Sequence, residues 1–146
     1  MRKSTAPWLL LLTLCLAAGC RGGGAGANSA PSKGAGLDAL VAELNSFTDE
    51  LVKKVESASD TSAGVDDAQK LLDSRREELK AKVRAAREGA EFRDNKEANG
   101  RLLECEVSGG DRVSALSTRY LDQSIKDPAL RSKLSKLRGD YNSIFN

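Results

Sequence analysis

The sequence offers three thiols as candidate reactive groups and no imidazole to activate them. Its cysteines are Cys15, Cys20 and Cys105, and it contains no histidine. A thiol can be acylated, can form a disulfide or, as a thiolate, can attack a substrate. Because histidine is the commonest general base and a frequent zinc ligand, its absence disfavours triad catalysis and the usual zinc sites. The surroundings of each cysteine therefore decide which chemistry we expect.

Cys20 lies at the end of a segment with the layout of an export signal. Arg2 and Lys3 are positively charged, residues 7–16 are largely apolar, and small residues precede Cys20. This order is typical of a cleaved signal peptide. The apolar run falls short of the about 20 residues that a membrane-spanning helix requires. We therefore expect residues 1–19 to direct export rather than to form part of the fold.

The segment 16–20, which reads Leu-Ala-Ala-Gly-Cys, resembles the lipobox of bacterial lipoproteins. Members of that family commonly carry leucine three residues before the cysteine, where this chain has Ala17. The resemblance implies cleavage before Cys20 and attachment of acyl chains, such as palmitate, to its sulfur and its new amino group. Two or more chains hold a protein stably at a membrane, at about 0.8 kcal/mol for each buried methylene. Because Arg21 replaces the aspartate that retains some lipoproteins at the inner membrane, the resemblance favours the outer membrane, facing the periplasm.

The charges of the processed chain balance, and one cysteine stays free. Loss of Arg2 and Lys3 would lower the basic side chains from 23 to 21, equal to the 21 acidic ones. A balanced chain lacks the basic face that nucleic acids bind, so we expect no nucleic-acid partner. Cys105 would remain as a thiol that is buried, reactive or paired with another chain. Its neighbours Glu104 and Glu106 would raise its pKa, which disfavours a nucleophilic role.

The other candidate sites have the character of solvent-exposed helix faces. Ser–Lys neighbours at 132–133 and 135–136 would point in different directions on a helix. The carboxylates at 66–67, 77–78 and 94–97 lack the glycine and the spacing of a calcium loop. The layout looks like the haem-carrying cytochrome-type four-helix bundles, but the processed chain would lack methionine and histidine as axial ligands. We therefore expect no catalytic residue, no metal site and no cofactor, and hence no enzyme.

A tether and two helices are predicted to follow the cysteine. Residues 21–36 are rich in glycine and lack large side chains, which predicts a flexible coil with a root-mean-square reach of about 20 to 24 Å. The first helix starts at Leu37 and ends near Ser59, with the alternating steps of a coiled coil. The second starts near Val65, with Ser62 or Gly64 as its N-cap. The predicted inner residues are Leu37, Val41, Leu44, Thr48, Leu51, Val55 and Ala58, then Val65, Ala68, Leu72, Leu79, Val83, Ala86 and Ala90.

The later part of the chain predicts one or two further helices. Between Gly89 and Gly110 either the second helix fades or a third helix starts early despite its glycines. Asp127 and Pro128 mark the start of the last helix, because aspartate can cap and proline suits the first helical position. The predicted inner residues are Val113, Leu116, Tyr120 and Ile125, then Leu130, Leu134, Leu137, Tyr141 and either Ile144 or Phe145. We therefore predict that residues 37–146 form an all-α domain, a small antiparallel bundle of three or four helices.

Anchor, tether and bundle together predict a membrane-anchored helical lipoprotein of the bacterial cell envelope with a binding or structural role. Residues 20–36 would link the lipid on Cys20 to the bundle, which would present a helix face to a protein partner. The alternative is a soluble exported helical carrier or chaperone without a lipid anchor. The sequence leaves the partner and the oligomeric state open.

Overall fold

The described part of the chain is helical almost throughout. The computed structural model describes residues 35–93 and 95–146. Its helices are α1 (Ala35–Glu56), α2 (Thr61–Glu88), α3 (Ala90–Arg93), α4 (Lys96–Arg119), α5 (Leu121–Lys126) and α6 (Pro128–Asn142), followed by a 3-10 turn, Ser143–Phe145. These residues contain no strand, so the all-α prediction is confirmed. The predicted signal segment 1–19, the lipidated Cys20 and residues 21–34 of the tether lie outside the described residues.

Helix α2 starts earlier than predicted because Asp60 caps it. The Asp60 carboxylate accepts a hydrogen bond from the Ala63 amide at 2.7 Å. The prediction of Ser62 or Gly64 as the N-cap is therefore wrong. Gly64 instead lies buried where α2 crosses α1, and a Cβ atom there would lie 2.9 Å from the Lys54 carbonyl oxygen. The missing side chain lets the two helix backbones approach each other.

Of the two alternatives predicted for residues 89–110, the structure shows the further helix that starts early, which is α4. Asn95 caps it by accepting hydrogen bonds from the amides of Glu97 and Ala98, at 3.1 and 3.2 Å. The helix then continues through Gly100 and Gly109 without interruption. Each glycine costs about 1 kcal/mol relative to alanine inside a helix, so tertiary packing has to compensate.

A break at Tyr120 separates α4 from the short helix α5. Tyr120 has a φ of −103° and a ψ of 24°, outside the α-helical range, and it ends the predicted continuous stripe. As a result Ile125 is 58% exposed, so its prediction as an inner residue is wrong. The last boundary is confirmed, because the Asp127 carboxylate accepts from the Ala129 amide at 2.9 Å and Pro128 opens α6.

The four long helices form a ring in which α1 and α6 each pack against both α2 and α4. Helices α1 and α2 form an antiparallel hairpin across the connection 57–60. Helices α4 and α6 also run antiparallel. Gly109 of α4 faces Tyr141, whereas the later residue Ser117 shares a cleft with the earlier Leu134.

The two hairpins pack with α1 parallel to α4 and α2 parallel to α6. Lys133 of α6 binds Asp66, and further along both helices Asp140 accepts a hydrogen bond from Gln69. Between α1 and α4, three ion pairs each join residues 63 positions apart. This α1–α4 ladder consists of Asp38 with Arg101, Asp49 with Arg112 and Glu56 with Arg119. Two of the four helix contacts are thus antiparallel, as predicted, and two are parallel.

The core lies along the axis of the ring and receives side chains from all four long helices. Its largest fully buried members are Leu44, Phe47, Leu51, Val55, Leu72, Leu79, Leu102, Leu116, Leu137, Tyr141, Ile144 and Phe145. Both Ile144 and Phe145 are buried, although the sequence predicted only one of them. Arg75 lies over a ring of this core, with its guanidinium carbon 5.5 Å from the centre of the Phe47 ring. Its charge is paired with Glu43.

Candidate functional site

The predicted lipidation site, Cys20, lies outside the described residues, so the described site candidates are those of the bundle. Four features could carry chemistry or binding: the Cys105 thiol, a buried Thr48–Tyr141 pair, the ionised side chains of the outer faces, and exposed apolar side chains on α4 and α5. No described helix combines the length and the apolar character needed to cross a membrane.

The Cys105 thiol is buried at the contact between α4 and α1. Its exposed fraction is 4%, and its Sγ donates a weak hydrogen bond to the Asn45 side-chain oxygen at 3.6 Å. Burial raises the pKa of Cys105, and the neighbouring Glu106 carboxylate raises it further. The thiol is therefore protonated at neutral pH and shielded from solvent, the opposite of what a nucleophile requires. Of the alternatives predicted for Cys105, namely buried, reactive or paired with another chain, its position at the α1–α4 contact favours the buried one.

A buried hydrogen-bonded pair links α1 to α6 beneath α4. Thr48 donates to the Leu44 carbonyl oxygen at 2.8 Å, which leaves the Tyr141 hydroxyl to donate to Thr48 at 2.7 Å. Burial raises the pKa of Tyr141. Gly109 of α4 passes directly over this pair, and the Tyr141 hydroxyl fills the space that a side chain at Gly109 would need. The pair satisfies its own polar atoms and fixes the helix register, so its role is structural.

Apart from Asp94, which lies outside the described residues, the carboxylates predicted to lie on exposed helix faces are paired with basic side chains. Asp67 binds Lys70, and this hydrogen bond lowers the pKa of Asp67 while raising that of Lys70. Glu78 binds Lys82, which also reaches Glu43. The lysines of the predicted Ser–Lys neighbours also have other partners, since Lys133 binds Asp66 and Lys136 binds Asp140. Within residues 35–93 and 95–146 no group of three or more metal-ligating side chains comes together.

Two pairs of exposed apolar side chains lie on the outside of the bundle. Leu103 and Val107 of α4, the α4 apolar pair, are 59% and 54% exposed. Leu121 and Ile125 form a similar pair on α5. Both pairs have a spacing of four residues, so each occupies a single helix face. Leu103 and Val107 each lie two positions from the buried Cys105, which places them on the far side of the helix.

The α4 apolar pair is bordered by acidic side chains. Glu104 and Asp111 are exposed, and neither makes an ion pair with any other described residue. They lie seven positions apart, on the same face as Val107. This surface of α4 therefore combines two apolar side chains with two unpaired negative charges.

Comparison of the chain with protein-family models, with curated proteins and with solved structures gives no match.

Proposed function

We propose that this protein is a lipid-anchored helical lipoprotein of the bacterial envelope that acts by binding or by structure, at the outer membrane and facing the periplasm. The observation that carries the proposal is the sequence around Cys20, where a positive start, an apolar run and small residues precede the cysteine. Acyl chains on Cys20 would hold the protein at the membrane without help from the folded part.

The described bundle supports separate roles for the lipid anchor and the folded domain. Helix α1 starts at Ala35, close to the predicted end of the tether, and the core that follows is filled by side chains from its own helices. A domain with its own core needs no membrane contact to fold. The tether then determines only where the domain is held and how far it reaches.

We place the contact with a protein partner on the α4 apolar pair. Complete burial of a leucine or valine side chain contributes about 1.5 to 3 kcal/mol, so covering Leu103 and Val107 would contribute on the scale of an interface hot spot. The bordering Glu104 and Asp111 favour a partner with lysine or arginine beside its apolar residues, because such charges steer association.

The anchoring half of the proposal is tested by Cys20→Ser, with Cys15→Ser as the matched control inside the signal. We expect Cys20→Ser to abolish acyl labelling and to accumulate as a precursor, and Cys15→Ser to be processed normally. Mass spectrometry of the mature amino terminus reads both results. An unmodified terminus in the native protein, or a cut elsewhere, would support the soluble exported carrier or chaperone instead.

The binding half is tested with a photocrosslinking residue in the native envelope. Placed at Val107, it should capture a defined neighbour, whereas the same residue at the exposed position Glu77 on α2 should not. Equal capture from both positions would show that the α4 apolar pair is not the contact surface.

A further inference from the structure

A cleft where α4, α5 and α6 meet brings together two arginines and three serines. Its volume is about 150 Å³, and it is lined by Ser117, Ser124, Arg131, Leu134, Ser135 and Arg138. Ser117 comes from α4, Ser124 from α5, and the other four residues from α6. No acidic residue lines the cleft.

The spacing on α6 points both arginines to the same side. Arg131, Ser135 and Arg138 stand at positions i, i+4 and i+7, which share one helix face. The two arginine Cα atoms are separated by about 10 Å along the helix, and their long side chains can meet above Ser135. Leu134 is buried and forms the floor of the cleft. One group bound over Ser135 would therefore lie within reach of both guanidinium groups.

The hydrogen-bonding capacity of the cleft is largely unused. Among the described residues, neither Arg131 nor Arg138 has a carboxylate within ion-pair distance, in contrast to Arg84, which binds Glu88. The hydroxyls of Ser117 and Ser135 make no hydrogen bond within the same part of the chain. Ser124 is different, since its hydroxyl donates to the Leu121 carbonyl oxygen at 2.9 Å. The cleft thus offers two guanidinium groups and two free hydroxyl donors on a small apolar floor.

We propose that this cleft binds a phosphate group. Guanidinium groups match the geometry of phosphate oxygens and donate paired hydrogen bonds to them, and serine hydroxyls can donate to the remaining oxygens. A cleft volume of about 150 Å³ leaves room for a group of this size. The group could belong to free phosphate or to a phospholipid headgroup, and the proposal does not depend on the lipid anchor.

The test titrates the purified full chain with two soluble probes. Inorganic phosphate represents the free ion, and glycerophosphoglycerol represents the headgroup of phosphatidylglycerol. Binding is measured by isothermal titration calorimetry, and the site by the shifts of the Ser117 and Ser124 amide signals in NMR spectra. The variants are Arg131→Gln and Arg138→Gln, with Arg84→Gln as a control that removes the same charge at a distant, exposed position.

We expect saturable binding that weakens about tenfold or more in Arg131→Gln and Arg138→Gln and is unchanged in Arg84→Gln. Binding of inorganic phosphate supports a free phosphate ligand, and binding of glycerophosphoglycerol alone supports a lipid headgroup. Absence of saturable binding for both probes overturns the proposal, as does an equal loss in all three variants. Circular dichroism spectra identical to that of the original protein show that the exposed arginines are not needed for folding.

Discussion

Replacing Gly109 by alanine should destabilise the bundle, although alanine is the better helix former. In an ordinary helix interior the change gains about 1 kcal/mol. Here the new Cβ atom would overlap the Tyr141 hydroxyl and would lie 3.1 Å from Tyr141 Cζ and 3.3 Å from Thr48 Oγ1. Overpacking costs about 1 to 3 kcal/mol, and displacing the ring would also weaken its hydrogen bond to Thr48 by about 0.5 to 1.5 kcal/mol. The expected net loss of unfolding free energy is about 0.5 to 3.5 kcal/mol.

Gly100 provides a matched control on the same helix. A Cβ atom at Gly100 would meet nothing within 4 Å, and the residue is exposed. Gly100→Ala should therefore stabilise the protein by about 0.5 to 1 kcal/mol. Urea denaturation followed by circular dichroism measures both changes. With a slope of about 1 to 3 kcal/mol per molar urea, the midpoint should fall by about 0.2 to 3.5 M in Gly109→Ala and rise by about 0.2 to 1 M in Gly100→Ala.

A double variant separates the packing conflict from helix propensity. Tyr141→Phe removes the overlapping hydroxyl, so Gly109→Ala should cost less in that background than in the original protein. The reasoning is refuted if Gly109→Ala is as stable as the original protein, or if Gly100→Ala is destabilised by the same amount.

Two further predictions concern an exposed ion pair of the α1–α4 ladder and the two buried weak acids, the Cys105 thiol and the Tyr141 hydroxyl. Arg112→Gln, which removes the middle rung of the α1–α4 ladder, should lower stability by only about 0.2 to 1 kcal/mol and by less in high salt, because the arginine and Asp49 are 40% and 64% exposed; a salt-independent loss above about 2 kcal/mol in urea denaturation would contradict this. The stabilisation that the protonated Cys105 and Tyr141 side chains provide should be fully present at neutral pH. The free energy of unfolding should fall as pH rises above about 8.5 to 10, the ordinary pKa range of cysteine and tyrosine. The sign follows because burial raises the pKa of Cys105 and of Tyr141, so the unfolded chain loses these protons first. Tyr141→Phe should reduce the alkaline fall in denaturation midpoint, and an identical pH profile would argue against this cause.

Local signals predicted some helix boundaries well. Asp127 and Pro128 identify the start of α6 because each acts through its own backbone chemistry, independent of the rest of the fold. Asp60 was missed because several capping residues are clustered between Ser57 and Gly64, and local preference does not rank them. Gly64 resembled a capping residue for the same reason, whereas its missing side chain lets α2 approach α1, a tertiary contact that local preference does not show.

Tertiary contacts explain why predictions from hydrophobic periodicity are wrong or incomplete at particular positions. The glycines of α4 argue against a helix, yet Gly109 is required there because Tyr141 occupies the space of its side chain. Ile125 shares the spacing of the buried residues before it, but the break at Tyr120 changes the direction of the chain. Part of the proposed phosphate cleft could be predicted from the sequence, since the spacing of Arg131 and Arg138 places them on one helix face. The serines contributed by α4 and α5 follow only from the packing of the helices.

The parallel packing of α1 with α4 and of α2 with α6 has an electrostatic consequence for the bundle ends. Helix macrodipoles place partial positive charge at N-termini and partial negative charge at C-termini, and parallel neighbours add these charges instead of cancelling them. At one end the starts of α2 and α6 carry the acidic caps Asp60 and Asp127, while the last turns of α1 and α4 carry Lys53, Lys54 and Arg119. Each half of that end is thus neutralised by side chains of the opposite sign. Without both aspartates, two positive helix termini would stand side by side, a repulsion that an all-antiparallel ring would not create.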